Sequence, residues 1–399
     1  MIPRKEYLNN LKALKDKRVI KVISGVRRCG KSTLFALYIE YLRQTGVDDN
    51  CIISINLEDM DNAGLQDYKA LYGYITSRLV SGRMNYIFID EVQKCRGYEN
   101  AVDSLFIKDN CDIYITGSNA YLLSGELATL LSGRYIEISM LPFSFREYCD
   151  AEENSALDKR RLFDRYLRYG SFPYIAYLDG DEKIINQYIE GIYNTILIKD
   201  VAARERINDV TLLENILKTL ASSIGSPISV KKISDTLISA GRKVSVNTVE
   251  AYLRALTNSY IIYKVSRYDI KGRQYLKTLG KYYFVDSGIR NLLISQSASN
   301  LGHLLENIVY LELLRRYSRV NIGRLAEKEV DFVAVNMNET EYFQVSASVL
   351  DEKTLRRELA PLREIHDNYP KTLLTLDDIG SGSNYDGIKQ LNIIDWLLG

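Results

Sequence analysis

Three mainly apolar runs in the first 120 residues each end in small or acidic residues. Residues 19–23 run into Ser24-Gly25, residues 86–89 into Asp90-Glu91, and residues 111–115 into Thr116-Gly117-Ser118-Asn119. Strands that are apolar on both faces and turn polar only at their C-terminal ends belong to a parallel sheet covered by helices. Helix-forming residues 34–39 follow the first run, and another apolar helix is expected over 122–131. Farther along, the period becomes helical. Residues 160–169 predict a helix that stops at Gly170, with Pro173 beyond it. Leu212, Leu213, Ile216, Leu217 and Leu220 share one helical face, and Ile233 and Leu237 lie one turn apart on a second helix. Asn247 with Glu250 three residues on predicts the start of a third helix. Its inward face is Val249, Tyr252, Leu253 and Leu256, leaving Thr248, Ala251, Arg254 and Ala255 outward. Strands are expected at 261–265, 282–286, 330–335 and 341–346.

The first strand-to-helix turn reads Gly25-Val26-Arg27-Arg28-Cys29-Gly30-Lys31-Ser32-Thr33, the pattern G-x-x-x-x-G-K-[ST]. Its glycines let successive N–H groups converge on phosphate oxygens, Lys31 reaches the outer phosphates, and the Ser32 hydroxyl ligates Mg²⁺. Gly25, Arg27, Arg28, Gly30, Lys31, Ser32 and Thr33 are therefore expected to hold ATP. Asp90 is placed to hold Mg²⁺ with Ser32, and Glu91 to polarise the attacking water, so hydrolysis is expected. Ser118 or Asn119 stands where a side chain senses the terminal phosphate. Arg134, just before the last core strand, resembles the arginine finger of AAA+ ATPases, which acts across a subunit interface. That reading implies a homo-oligomer, with a hexameric ring as one form, and poor hydrolysis by a monomer.

Composition narrows the class. The 399 residues are 46% hydrophobic, enough for two or three domains. No apolar run approaches the length of a membrane span and the N-terminus does not read as a signal peptide. Five scattered cysteines and two histidines argue against zinc or a disulfide framework and suit the cytoplasm. The net charge is only +1, yet residues 201–300 carry 15 Lys+Arg against 7 Asp+Glu. In that segment the three helices and two strands read as a winged helix. Lys264, Arg267, Lys271, Arg273, Lys277 and Lys281 lie along the hairpin, and with Arg254 on the third helix they form a candidate DNA surface. Lys281 directly precedes the second strand.

The chain as a whole resembles the bacterial and archaeal AAA-type ATPases with a C-terminal domain of unknown function, DUF4143. The resemblance is carried by the loop, Ile89-Asp90-Glu91-Val92-Gln93, Thr116-Gly117-Ser118, Ser132-Gly133-Arg134 and residues 141–147. It continues through 170–173, 281–289 and 302–307. It implies an ATPase with winged-helix and nuclease-like parts that works on DNA. The last hundred residues resemble the PD-(D/E)xK nuclease fold, in which Glu306 and Asp331 match the acids and Gln344 replaces the next one. Ser346 stands where that fold has its lysine, so cleavage is not expected, although Lys353, Arg356 or Arg357 is near enough in sequence to replace it.

The fold expected is α/β: a P-loop AAA+-like ATPase core (1–150), a helical lid (151–205), a winged-helix domain (206–298) and a nuclease-like α/β domain (299–399). The function expected is a Mg²⁺-dependent ATPase binding DNA, with branched or forked DNA as a target by analogy. The alternative is a nucleotide-gated signalling or toxin-antitoxin-like switch whose winged helix binds protein.

Overall fold

The computed structural model describes all residues except 1, 121–130, 132, 153–155, 179–180, 206, 295–300 and 338, and the side chains of 277 and 278. The helix expected over 122–131, apart from the buried Leu131, and the side chain of Lys277 thus lie outside the described residues. Two compact units are present, residues 1–142 with 258–260, and 143–257 with 261–399.

The first unit is a five-stranded sheet, β1 (Ile20–Ser24), β2 (Ile52–Asn56), β3 (Asn85–Asp90), β4 (Cys111–Gly117) and β5 (Tyr135–Ser139). Every pairing is parallel and the order is β2-β3-β4-β1-β5. β1 and β3 are buried along their whole length. Lys21, which interrupts the apolar run in β1, is buried against Asp112 of the neighbouring β4, so the charge is paired rather than exposed. Helices α1 (Lys5–Ala13), α2 (Lys31–Gln44), α3 (Tyr68–Thr76) and α4 (Tyr98–Phe106) belong to this unit. Because the strands are parallel, the loops after β1, β3 and β4 emerge along one edge, where open α/β sheets bind ligands.

The first unit ends at Pro142, and the chain enters the second at Phe143. Ser144 caps α5 (Phe145–Ala151) through a capping box with Glu147, and Phe145 and Tyr148 pack against α6 (Lys159–Tyr169). Phe145 meets Phe163 edge-on at 5.1 Å, and Tyr148 meets Tyr166 at 5.3 Å. These aromatic contacts fix α5 in the second unit. α7 (Glu182–Thr195) continues into a π-helical stretch, Ile196–Ala202.

The second unit also holds α8 (Val210–Ser222), α9 (Val230–Ser239) and α10 (Val246–Asn258), followed by the hairpin β6 (Ile262–Asp269) and β7 (Gln274–Phe284). Ile228 adds a bridge to Gly280. The five leucine and isoleucine positions expected on α8 are buried, as are Ile233 and Leu237 on α9. The cap of α10 is Ser245, whose hydroxyl accepts from Thr248 N at 3.1 Å, rather than Asn247. Ala255, expected outward, is buried. Both hairpin strands are longer than expected.

The boundary drawn at 298/299 is not a break in the fold. β6 pairs in parallel with β8 (Arg319–Leu325), and the hairpin thereby becomes the edge of an eight-stranded mixed sheet. The order is β12-β13-β11-β10-β9-β8-β6-β7, with β9 (Lys328–Asn336), β10 (Glu339–Val345), β11 (Lys371–Thr375), β12 (Asn384–Tyr385) and β13 (Ile388–Asn392). Backbone groups left open on one side of β8 and β6 satisfy each other, which the sequence pattern of either strand alone does not reveal. Further helices are α11 (Ser287–Leu293), α12 (Leu301–Arg316), α13 (Glu352–Arg363) and α14 (Ile393–Leu398). Asp286 caps α11 and also accepts from the Ser171 hydroxyl at 2.9 Å. Gly170, at φ +88°, has no room for a Cβ beside that carboxylate. The Gly170 and Asp286 motifs are thus one local structure.

Candidate functional site

The loop after β1 depends on its glycines. Gly25 has φ +151°, and a Cβ there would collide with the carbonyl oxygen of Met140; Gly30, at φ +105°, caps α2. Arg28 also takes a positive φ, 70°, so the chain curls tightly between the glycines. Lys31 is buried, and its Nζ donates to Gly25 O at 3.0 Å and Val26 O at 3.2 Å. It lies 3.6 Å from Glu91 Oε1. Arg27 is paired with Glu58 at 3.0 Å, Arg28 is exposed, and Ser32 and Thr33 are exposed at the start of α2.

Asp90 and Glu91 sit side by side at the end of β3, both 7% exposed, but their charges are treated differently. Burial pushes the Asp90 carboxyl above its usual range, opposed by hydrogen bonds from Ser32 and Thr116. For Glu91 burial acts in the same upward direction, yet Lys31, Gln93, Arg27 and Ser118 together outweigh it and hold the carboxyl below its usual range. Glu91 is therefore an ionised carboxylate at neutral pH. Its backbone is left-handed, φ 53°, a costly conformation for a residue with a side chain. Three partners fix it there. Thr116 Oγ1 accepts from Glu91 N at 2.9 Å and donates to Asp90; Ser118 Oγ donates to Glu91 Oε2 at 3.1 Å; Gln93 Nε2 donates to Glu91 as well.

The loop, Lys31, Ser32, Asp90, Glu91 and Ser118 come together in one unit, and Asn119, buried next to Ser118, lies at the same strand end. These residues fit a nucleotide with Mg²⁺: a buried lysine ammonium stands in the loop, and the Ser32 hydroxyl and the Asp90 carboxylate are already hydrogen-bonded to each other. Arg134 is 45% exposed and paired with Asp103 of its own chain. Sequence reasoning does not single out Thr116 or Gln93, although both stand inside its motifs, and it misses Arg4 altogether. Arg4 is buried beneath the loop, with Nη1 donating to Cys29 O at 2.9 Å.

Of the candidate DNA residues, Arg254, Lys264, Lys271 and Arg273 are exposed and Arg267 is half-buried. Lys281 is not on that surface. Its side chain is 2% exposed, and its Nζ lies 2.6 Å from Glu306, 2.8 Å from Glu329 and 3.8 Å from Asp331. Burial alone would lower its pKa, but the charges of Glu306, Asp331 and Glu329 raise it above the ordinary lysine value. Burial, then the neighbouring Glu306, pushes Asp331 well above its usual range. Tyr283 donates to Glu306, Val345 N donates to Asp331 at 2.9 Å, and Gln344 bridges Asp331 N and Glu358. The cation among the acids is thus Lys281, not Lys353, Arg356 or Arg357, all of which are exposed on α13. Val265, the ladder partner of Lys281, is likewise buried. Ser346 donates to Ser348 O. Among the described residues no cluster of three or more His, Cys, Asp or Glu is arranged to hold a metal ion, and no helix is long and apolar enough to cross a membrane.

Comparison with known proteins agrees with the first unit's geometry. Residues 17–149 match the family model described as an AAA domain, and residues 160–300 match a domain of unknown function, DUF8612. An uncharacterized protein of Haemophilus influenzae is 40% identical over 403 residues, covering 100% of this chain and 99% of its own. An uncharacterized protein of Methanocaldococcus jannaschii is 29% identical over 383 residues, 90% of this chain and 83% of its own. In fold, the chain is similar to the Walker-type ATPase of Pyrococcus abyssi, with a TM-score of 0.53 at 17% identity over 73% of this chain and 96% of that one. With the Haemophilus protein matched end to end, the chain belongs to its family, AAA-domain ATPases that carry a DUF8612 domain.

Proposed function

We propose that the protein is a Mg²⁺-dependent ATPase that acts on DNA as a homo-oligomer, and that its nuclease-like C-terminal fold does not cleave. The observation that carries the catalytic part is the placement of Glu91, held by Ser118 and Gln93 beside Lys31. Gly25, Arg27, Arg28, Gly30, Lys31 and Thr33 would hold the phosphates, and Ser32 and Asp90 the metal. Bound Mg²⁺ neutralises charge on the phosphate oxygens. Lys31 leaves the carbonyls of Gly25 and Val26 for the outer phosphate, which offers a full negative charge in their place. Glu91 then takes the proton of the attacking water, and Ser118 and Asn119 sense whether the terminal phosphate is present. Arg134 would act on a neighbouring subunit's nucleotide once released from Asp103.

The DNA part rests on the exposed Arg254, Lys264, Lys271 and Arg273 of the helix-and-hairpin segment. They can neutralise phosphates without reading bases, which suits recognition of DNA shape, with forks and branches as the class to test. The non-cleaving reading rests on Lys281: its ammonium already occupies the space among Glu306, Glu329 and Asp331. The test is a gel-shift panel of single, duplex, forked and four-way DNA with and without ATP, run with Mg²⁺ and checked for cleavage. ATP-dependent, salt-sensitive binding to uncut DNA is expected. Absence of binding to every DNA would favour the protein-binding switch.

A further inference from the structure

Arg4 does more than fill space beneath the nucleotide loop. It is 2% exposed, at the N-terminus of α1, and Tyr7 of that helix lies under its guanidinium at 4.9 Å. Nη1 donates to Cys29 O at 2.9 Å, the residue just before Gly30-Lys31, and Nη2 donates to Leu141 O at 2.7 Å and Pro142 O at 3.4 Å. Leu141 N also donates to the Tyr7 hydroxyl at 3.2 Å. The other end of the loop is fastened to the same connector. Met140 N donates to Ser24 O at 2.7 Å, and Gly25 lies against Met140 O where no Cβ fits. Residues 140–142 are therefore tied to the start of the loop by backbone and to its end by one guanidinium. They are also the last residues before the second unit begins at Phe143.

A guanidinium is a planar fork whose donors are fixed relative to one another. Two carbonyls held by one such plane do not move independently. We propose that Arg4 is a positioning residue that makes the nucleotide loop and the 140–142 connector respond as one body, so that filling the loop is registered in the chain that enters the second unit. When Lys31 leaves Gly25 O and Val26 O for a phosphate, the loop carbonyls lose their cation, and Cys29 O carries the change through Arg4 to Leu141. This rests on the nucleotide-binding half of the proposed function and not on DNA.

The test is hydrogen exchange of the full chain in a Glu91→Gln background, with and without ATP. The parent is expected to show slowed exchange both in the loop, residues 25–31, and in the connector and following helix, residues 140–148. Adding Arg4→Met should leave the loop protection and abolish the connector response from residue 141 onward, while Met140 stays bonded to Ser24. Arg4→Lys keeps the charge but not the fork, and should lose the connector response as well; it also carries the test if Arg4→Met does not fold. A connector response that survives Arg4→Lys, or a parent whose loop is protected while the connector is unchanged, overturns the proposal. No protection of the loop itself overturns the nucleotide reading instead.

Discussion

Replacing Glu91 by glutamine separates binding from turnover. The amide keeps the size of the side chain and can still accept from Ser118, but it can neither remain charged nor take a proton from water. A positioned general base contributes about 10²–10⁴ in rate, so kcat should fall by that factor, roughly 2.7–5.5 kcal/mol in the barrier. ATP affinity should move the other way. Glu91 lies 3.6 Å from Lys31, with the two side chains 9% and 3% exposed. At an effective dielectric of ~20, charges at that separation attract by roughly 4–5 kcal/mol before desolvation is counted. ATP must draw Lys31 away from this partner, and the amide offers much weaker competition. Phosphate release would give kcat, and titration with a fluorescent ATP analogue would give Kd; Lys31→Ala, in the same assays, should lose binding. A Glu91→Gln protein with kcat within about threefold of wild type would refute the assignment of the base.

Arg134→Ala should abolish hydrolysis, and mixing it with Lys31→Ala subunits should restore part of the activity because the latter donate an intact Arg134; no restoration at any ratio argues against action in trans. Reversing Lys271, Arg273 and Lys277 to glutamate should weaken binding to all DNA sequences and reduce the slope of log K against log salt by about 0.9 for each phosphate that is no longer neutralised; an unchanged slope places the DNA surface elsewhere. Asp331 has its folded-state pKa raised by burial and by Glu306, so its contribution to stability is complete below the ordinary aspartate range and fades as pH rises through the raised value. Asp331→Asn stays neutral throughout, and its Tm relative to wild type should therefore climb as pH rises above the ordinary aspartate range; a difference that is flat or falls with pH contradicts this.

The loop and the Asp90-Glu91 pair were legible because their chemistry depends on residues close in sequence. Strand, glycine turn and helix follow within a single segment, and the two acids end an apolar run. The helical faces of α8 and α9 were legible for the same reason: periodicity reports one-sided burial. What escaped the sequence were partnerships across long separations. Arg4 and Leu141 are 137 positions apart, and nothing local marks Arg4 as buried. Lys281 sits among other basic residues and reads as one more surface cation until β9 and α12 bring three carboxylates around it. The hairpin's union with the C-terminal sheet was hidden similarly, since edge pairing depends on which strand arrives beside it.

The central claim is that ATP turnover is coupled to DNA, and steady-state ATPase rate measured with and without forked DNA tests it most directly. The account predicts Mg²⁺-dependent hydrolysis that DNA changes in wild type, with the DNA effect abolished in the Lys271, Arg273 and Lys277 charge reversal while DNA-free turnover persists. Hydrolysis that is indifferent to every DNA structure at low salt, from a protein that binds ATP normally, would contradict it.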